Sequence, residues 1–127
     1  MRKTMYELKI EDSFAAAHNL RGYKGQCEAL HGHNWKVEVV VRADRLDDTG
    51  LAIDFQELKT ATGEILSKLD HGYLNELPAF LEQNPSSELI AKFIFEELTR
   101  RIEREGLWVY RVTAWESEKA CASYLRD

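Results

Sequence analysis

Hydrophobic and polar residues alternate along four segments of the chain, a pattern typical of strands that bury one face. The first segment covers residues 6–18, and the second begins at His31 and continues to Val41. The third covers residues 108–116, and residues 120–125 fit a fourth. We therefore predict four β-strands, two near each end of the sequence.

Two segments in the middle of the chain have helical spacing instead. Asp54 and Glu57 have the spacing of a capping box, and an apolar stripe follows them. We expect this helix to end near His71, with Gly72 as the left-handed residue after its last turn. A second helix is predicted to begin within residues 84–87 and to be stopped by Gly106. The order ββααββ predicts an α+β fold with an antiparallel sheet.

Composition narrows the function classes. The 127 residues are 44% hydrophobic and 31% charged, which favours a single folded domain spanning residues 1–127. No apolar run approaches the roughly 20 residues of a membrane span. The net charge of -5 argues against nucleic acid as the main partner. Two cysteines cannot build a disulfide framework, and residues 1–7 lack the apolar stretch of a secretory signal, so we expect a cytoplasmic protein.

The histidines are the strongest chemical signal. His31 and His33 share one face of a predicted strand, about 7 Å apart along the chain. His18 ends the neighbouring strand and could supply a third nitrogen. Three histidines with an open fourth position are typical of a catalytic zinc site, although imidazoles also bind iron, nickel or copper. The spacing therefore predicts a metal centre.

Cys27, four residues before His31, leaves three alternatives open. It could be a fourth ligand, which would close the site and make the zinc structural. It could instead stay off the metal and transfer protons as a thiolate whose pKa the nearby cation lowers. A buried, inert thiol is the third reading, and the spacing does not separate the three.

Asp70, His71 and Glu116 are similarly ambiguous. A histidine at a helix end interacts favourably with the helix dipole, but a carboxylate beside it can also orient a catalytic imidazole. Glu116 lies in register with the apolar positions of the third strand, where an unpaired carboxylate is costly. Either the strand has ended and Glu116 is solvated, or it binds a ligand that offers two parallel N–H donors.

Five motifs, taken together, carry a resemblance to a known family. The most specific are Cys-x-x-x-His-Gly-His at residues 27–33 and Asp-His-x-x-Leu-Asn at residues 70–75; the others lie at residues 14–18, 53–55 and 84–88. On these motifs the chain resembles the 6-pyruvoyltetrahydropterin synthase superfamily. Its spacer between Cys27 and His31 is similar to that of the 6-carboxy-5,6,7,8-tetrahydropterin synthases, the queuosine branch.

The resemblance implies an architecture. It is the tunnelling fold, or T-fold, in which a four-stranded antiparallel sheet carries two helices on one face. Three such protomers form a twelve-stranded barrel, and two trimers stack into a homohexamer whose active sites are shared between protomers.

The resemblance also implies the site. His18, His31 and His33 would hold Zn²⁺; Cys27, Asp70 and His71 would be catalytic; Glu116, Ser86 and Ser87 would bind the pterin substrate. The reaction would convert 7,8-dihydroneopterin triphosphate to 6-carboxytetrahydropterin, acetaldehyde and triphosphate. Two alternatives are 6-pyruvoyltetrahydropterin synthase, which cleaves no carbon–carbon bond, and a non-catalytic module stabilised by zinc. Arg21 and Lys24 are candidates for binding the triphosphate.

Overall fold

The computed structural model describes residues 2–25 and 28–127. Its five strands are β1 (Tyr6–His18), β2 (His31–Ala43), β3 (Gly72–Tyr73), β4 (Leu107–Ser117) and β5 (Ala120–Leu125). Its two α-helices are α1 (Phe55–Ser67) and α2 (Ser87–Ile102), and short 3₁₀ turns at Leu74–Glu76 and Pro78–Phe80 join β3 to α2. The predicted α+β class, with both helices between two pairs of strands, is confirmed.

The sheet has the order β3-β1-β2-β4-β5. The four long strands pair antiparallel, as predicted. The sheet is nevertheless mixed and has five strands, because Gly72 and Tyr73 pair parallel with Ala16 and Ala17 of β1. Two residues are too few to show an alternating pattern, so the sequence could not reveal β3.

One hydrophobic core lies between the sheet and the helices. β2 supplies its centre, where alternate residues from Trp35 to Val41 are fully buried. α2 packs on β4 and β5, and α1 packs on β1 and α2. None of the described helices combines the length and the apolar character needed to cross a membrane.

The starts of both helices agree with the positions predicted from the sequence. Asp54 caps α1 by accepting a hydrogen bond from the Gln56 backbone N–H, and the Ser86 hydroxyl caps α2 by accepting one from Leu89. The expected helix ends differ. α1 ends at Ser67, and α2 ends at Ile102, four residues before Gly106.

The left-handed residue after α1 is His71, with φ of 58°, and not Gly72. The cause is the docking of this segment on β1. The His71 backbone N–H donates to the Ala15 carbonyl, and the Asp70 carboxylate accepts from the Ala15 N–H at 2.9 Å. The turn is therefore completed at His71, which leaves Gly72 free to begin β3. Histidine is among the few side chains that enter this backbone region with some frequency.

Candidate metal centre and active site

Three histidines converge where β1 ends and β2 begins. The antiparallel register places His18 opposite His31 and Ala16 opposite His33, so all three imidazoles lie on the same face. Their ring centroids are 4.7 Å apart for His18–His31, 4.7 Å for His31–His33 and 5.1 Å for His18–His33. The structure thus brings together the three residues that the sequence predicted as metal ligands.

Backbone carbonyl groups orient two of these rings and fix which ring nitrogen donates a hydrogen bond. The Nδ1 atom of His18 lies 2.8 Å from the Pro85 carbonyl oxygen, and Nδ1 of His31 lies 2.8 Å from that of Ala29. A carbonyl oxygen only accepts, so Nδ1 is the donor in both rings, and in the neutral imidazole Nε2 is then the nitrogen with a free lone pair. Metal-binding histidines are commonly oriented by such a bond at the other ring nitrogen.

The orphaned nitrogens of the cluster fit a metal ion. The Nε2 atoms of His18 and His33 are buried and make no well-directed hydrogen bond within the described residues, although a carboxylate oxygen of Glu116 lies 2.9 Å from the His33 atom. Buried polar atoms normally have partners. Ligand atoms of His18, His31, His33 and Glu116 all lie within 4.8 Å of one another, so these four residues could hold a metal ion. A set of imidazoles with one carboxylate is suited to zinc.

Trp35 forms the floor of the histidine cluster and is fully buried. Its ring centroid lies 5.1 Å from that of His18 and 5.4 Å from that of His33. Sequence reasoning assigned this residue only to the strand pattern.

Burial lowers the pKa of His33 from its usual value of 6.5, and Glu116 acts in the opposite direction. The lowered pKa favours the neutral imidazole, which is the form that can bind a metal.

Glu116 lies closer to the histidines than the sequence implied. Its Oε1 atom is 2.9 Å from Nε2 of His33 and 3.7 Å from Nε2 of His18. Its other oxygen, Oε2, accepts from the Ser87 hydroxyl at 3.3 Å. A register shift between Trp115 and Ser117 leaves Glu116 without a partner on β5, and such bulges re-aim side chains near functional sites. The carboxylate is therefore placed either to ligate a metal or to meet a bound molecule.

Asp70 and His71 form a pair at the edge of the sheet. Asp70 Oδ2 lies 2.8 Å from Nδ1 of His71, whose side chain is 83% exposed. His71 and His33 line one open cleft, together with Ala15, Ala16, Ala17, Gly32, Asn34 and Gly72. The pair that the sequence suggested is thus formed, and its His71 lines the same cleft as the metal candidate His33.

The Asp70 carboxylate should stabilise the fold in a pH-dependent way. The bond from the Ala15 N–H, with His71 as a further contribution, holds the pKa of Asp70 below its usual value of 3.8. Its stabilisation is therefore complete above about pH 5 and is lost as the pH falls through the lowered pKa of the folded state. We expect the difference in unfolding free energy between the parent and Asp70→Asn to shrink as the pH falls from about 5 through the lowered pKa of the Asp70 carboxyl. Urea titrations below about pH 5 measure this difference, and a difference that grew as the pH fell within that window would contradict the assignment.

Of the remaining predicted site residues, four contact other groups of the protein and one lies outside the described residues. Ser86 caps α2 and Ser87 holds Glu116, so neither hydroxyl projects freely. The Arg21 guanidinium donates to the carbonyls of Phe80, Leu81 and Gln83, which engages the group that we considered for triphosphate. The Lys24 ammonium lies 5.4 Å from the Tyr23 ring centroid. Cys27 lies outside the described residues, so its role stays a prediction.

Sequence reasoning missed the polar contacts around Asn19, the residue that follows His18. Its side chain accepts a hydrogen bond from the Tyr73 hydroxyl at 2.8 Å and donates one to the Glu28 carbonyl at 3.0 Å. The only sequence signal was Asn75, which closes the Asp-His-x-x-Leu-Asn motif and proves to contact Asn19.

The fold and site define an α+β protein in which the strand ends bring together three imidazoles and a carboxylate that could hold a metal ion. A family model described as 6-pyruvoyl tetrahydropterin synthase matches residues 7–127. The chain belongs to this family, which confirms the resemblance drawn from its motifs and the prediction that it is an enzyme.

Individual relatives agree with the family assignment. A Synechocystis protein named 6-carboxy-5,6,7,8-tetrahydropterin synthase is 39% identical over 99 residues, covering 74% of this chain and 75% of the relative. A Pyrococcus furiosus protein named dihydroneopterin monophosphate aldolase is 32% identical over 107 residues, covering 84% and 86%. The solved structure of Caenorhabditis elegans 6-pyruvoyl tetrahydropterin synthase superposes with a TM-score of 0.82 at 26% identity, covering 100% of this chain and 99% of that one.

Proposed function

We propose that this protein is a zinc-dependent lyase that converts 7,8-dihydroneopterin triphosphate and water to 6-carboxy-5,6,7,8-tetrahydropterin, acetaldehyde and triphosphate. The observation that carries the proposal is the histidine cluster, in which Nε2 of His18 and of His33 forms no well-directed hydrogen bond in the described part of the chain, together with the cleft that His33 and His71 both line. Membership of the pterin synthase family and the Synechocystis relative support this substrate class.

His18, His31 and His33 are the proposed zinc ligands, each through the nitrogen that faces the other two rings. Bound zinc would act as a Lewis acid toward the oxygens of the substrate side chain. The Pro85 and Ala29 carbonyls hold the rings of His18 and His31 in the tautomer that this task needs. Because these partners are backbone atoms, the ligand geometry is built into the fold.

The proposed proton transfers fall to Cys27 and His71. Asp70 lies beside Nδ1 of His71, so it fixes the proton on that nitrogen and leaves Nε2 to exchange a proton in the cleft. Asp70 also stabilises the charged imidazolium once His71 has taken a proton. Cys27 would move protons at the side-chain carbons of the substrate, a role that rests on its place in the Cys-x-x-x-His-Gly-His motif.

Glu116 is the proposed anchor for the pterin ring. A pterin presents its ring N3–H and 2-amino group as two parallel donors, which a carboxylate can accept together. Ser87 already donates to Oε2 of Glu116, so the carboxylate is oriented from the α2 side before the substrate arrives.

A single domain that assembles as a homohexamer, a dimer of trimers with shared active sites, is the proposed form of the enzyme. The sheet ends in two edges, the short β3 and the longer β5, and exposed edges invite pairing with another chain. Tyr124 and Leu125 of β5 are 36% and 50% exposed. Sedimentation at micromolar concentration should show a species of about six times 14.7 kDa, and a monomer alone would contradict the assembly.

Product analysis tests the reaction. Zinc-loaded protein incubated with 7,8-dihydroneopterin triphosphate should release acetaldehyde and inorganic triphosphate in equal amounts. Triphosphate without acetaldehyde would indicate 6-pyruvoyltetrahydropterin synthase activity instead. If neither forms although zinc is bound, the non-catalytic zinc module is the better description.

A second candidate is cleavage of a dihydroneopterin monophosphate. It is favoured by the Pyrococcus relative and by the engagement of the Arg21 guanidinium with three backbone carbonyls. An aldol cleavage leaves the phosphate ester on the released aldehyde, whereas elimination sets inorganic phosphate species free. Offering both substrates and measuring free phosphate species separates the two candidates.

A further inference from the structure

Asn75 makes a two-bond contact with the backbone of Asn19. Its Oδ1 accepts from the Asn19 N–H at 3.0 Å, and its Nδ2 donates to the Asn19 carbonyl at 2.8 Å. The Asn75 side chain is buried, since the residue is only 8% exposed. Because the two bonds run in opposite directions, they require a group that both donates and accepts at this length, and among the amino acids asparagine fits.

The Asn19 side chain extends this contact to two further segments. Its Oδ1 accepts from the Tyr73 hydroxyl at 2.8 Å, and its Nδ2 donates to the Glu28 carbonyl at 3.0 Å. Glu28 also accepts from the Leu20 N–H and donates its own N–H to the Leu20 carbonyl. We call Asn19, Tyr73, Asn75 and Glu28 the asparagine clasp.

The clasp joins the three segments that carry the proposed chemistry. Asn19 directly follows the proposed zinc ligand His18, and Glu28 directly follows Cys27. Tyr73 and Asn75 follow the Asp70–His71 pair, which Ala15 holds to the same strand, β1, four residues before Asn19. The segment from residue 70 to residue 75 is therefore fixed to β1 at both ends.

We propose that Asn75 is a positioning residue: through Asn19 it sets the placement of His18 and of Glu28 relative to Asp70 and His71. This inference rests on the proposed function. Among the described residues, the Asn75 side chain hydrogen-bonds to the Asn19 backbone and to none of the proposed ligands or proton-transfer groups. Its effect is to hold a metal ligand and the proton-transfer residues in one frame, as outer-shell partners do in metal sites.

The test compares Asn75→Asp with Thr62→Val. The aspartate keeps the size and the acceptor toward the Asn19 N–H, but it sets an oxygen against the Asn19 carbonyl. Thr62→Val is the matched control because it removes another buried hydrogen bond, from the Thr62 hydroxyl to the Leu58 carbonyl within α1. Both variants lose stability, and only the first disturbs the clasp.

For zinc-loaded Asn75→Asp we expect kcat to fall about 10- to 100-fold with KM within a few-fold of the parent. Zinc release to a colorimetric chelator should accelerate by a similar factor, because His18 is held less firmly. Thr62→Val should match the parent in both measurements below its melting temperature. The proposal is overturned if Asn75→Asp behaves like Thr62→Val in kcat and in zinc release.

A milder variant tests the proposal if the Asn75→Asp protein does not fold. Tyr73→Phe removes only the hydroxyl bond to Asn19 and should shift kcat and zinc release in the same direction by a smaller factor; an unchanged Tyr73→Phe protein would overturn the proposal. The zinc measurement also separates the two hypotheses. If the parent shows no lyase activity but Asn75→Asp releases zinc faster than Thr62→Val, the proposed function fails and the clasp stands.

Discussion

The Cys27→Ala protein is expected to retain one zinc per chain and to lose about 100- to 10,000-fold in kcat, the usual contribution of a positioned general acid or base. The reason is that His18, His31 and His33 already bring three imidazole nitrogens within 4.8 Å of one another without the thiol. A metal held by them needs no sulfur ligand, so Cys27 remains available for proton transfer.

The measurement pairs metal analysis of the dialysed protein with turnover of the pterin substrate. Cys121→Ala is the control, because this second cysteine is exposed on β5 and should leave both quantities unchanged. If Cys27→Ala loses zinc and stability together, the thiol is a ligand and the site is a closed, structural one. That result would favour the non-catalytic zinc module.

Glu116→Gln is expected to weaken pterin binding by about 2–4 kcal/mol, the cost of breaking a charged hydrogen-bond pair that the bound pterin would cover. The glutamine keeps the size of the side chain but turns one acceptor into a donor that faces a donor of the pterin. The same loss should appear with a simple pterin that lacks the phosphate tail. Calorimetric titration of that pterin gives the affinity directly.

The zinc content of Glu116→Gln decides between two roles for this carboxylate. Its Oε1 lies 2.9 Å from Nε2 of His33, close enough for Glu116 to be a fourth ligand. We expect the variant to keep its zinc, because three imidazoles suffice and the carboxylate is assigned to the pterin. Zinc loss with unchanged pterin affinity would reverse the assignment. Ser87→Ala should show a smaller affinity loss, since it frees only Oε2.

The convergence of His18, His31 and His33 could be predicted because it follows from strand geometry. The two-residue period places His31 and His33 on one face, and an antiparallel neighbour that ends at His18 must bring that imidazole opposite His31. The long strands and both helix starts follow from equally local patterns. Such local patterns predict the folded structure well because the core requires the same alternation of buried and exposed residues.

Other features depend on contacts between distant segments, which no local pattern reports. β3 exists because Asp70 and His71 bond to Ala15, 55 or more residues earlier in the chain. The closeness of Glu116 to His33 arises from a register shift at the end of β4. The asparagine clasp likewise joins residues more than 50 positions apart. The role of Cys27 stays a sequence-based prediction.

The left-handed backbone of His71 separates two kinds of selection at one position. With φ of 58°, this residue would be most tolerant of glycine, then of asparagine or aspartate, and least tolerant of valine or isoleucine. A saturation library at position 71 that is sorted for folded protein should therefore enrich His71→Gly. The same library sorted for activity should lose this variant together with the other substitutions of His71. At position 71 the amino acids that permit folding would then differ strongly from those that permit activity. A library scored only for the amount of folded protein would underestimate the importance of His71.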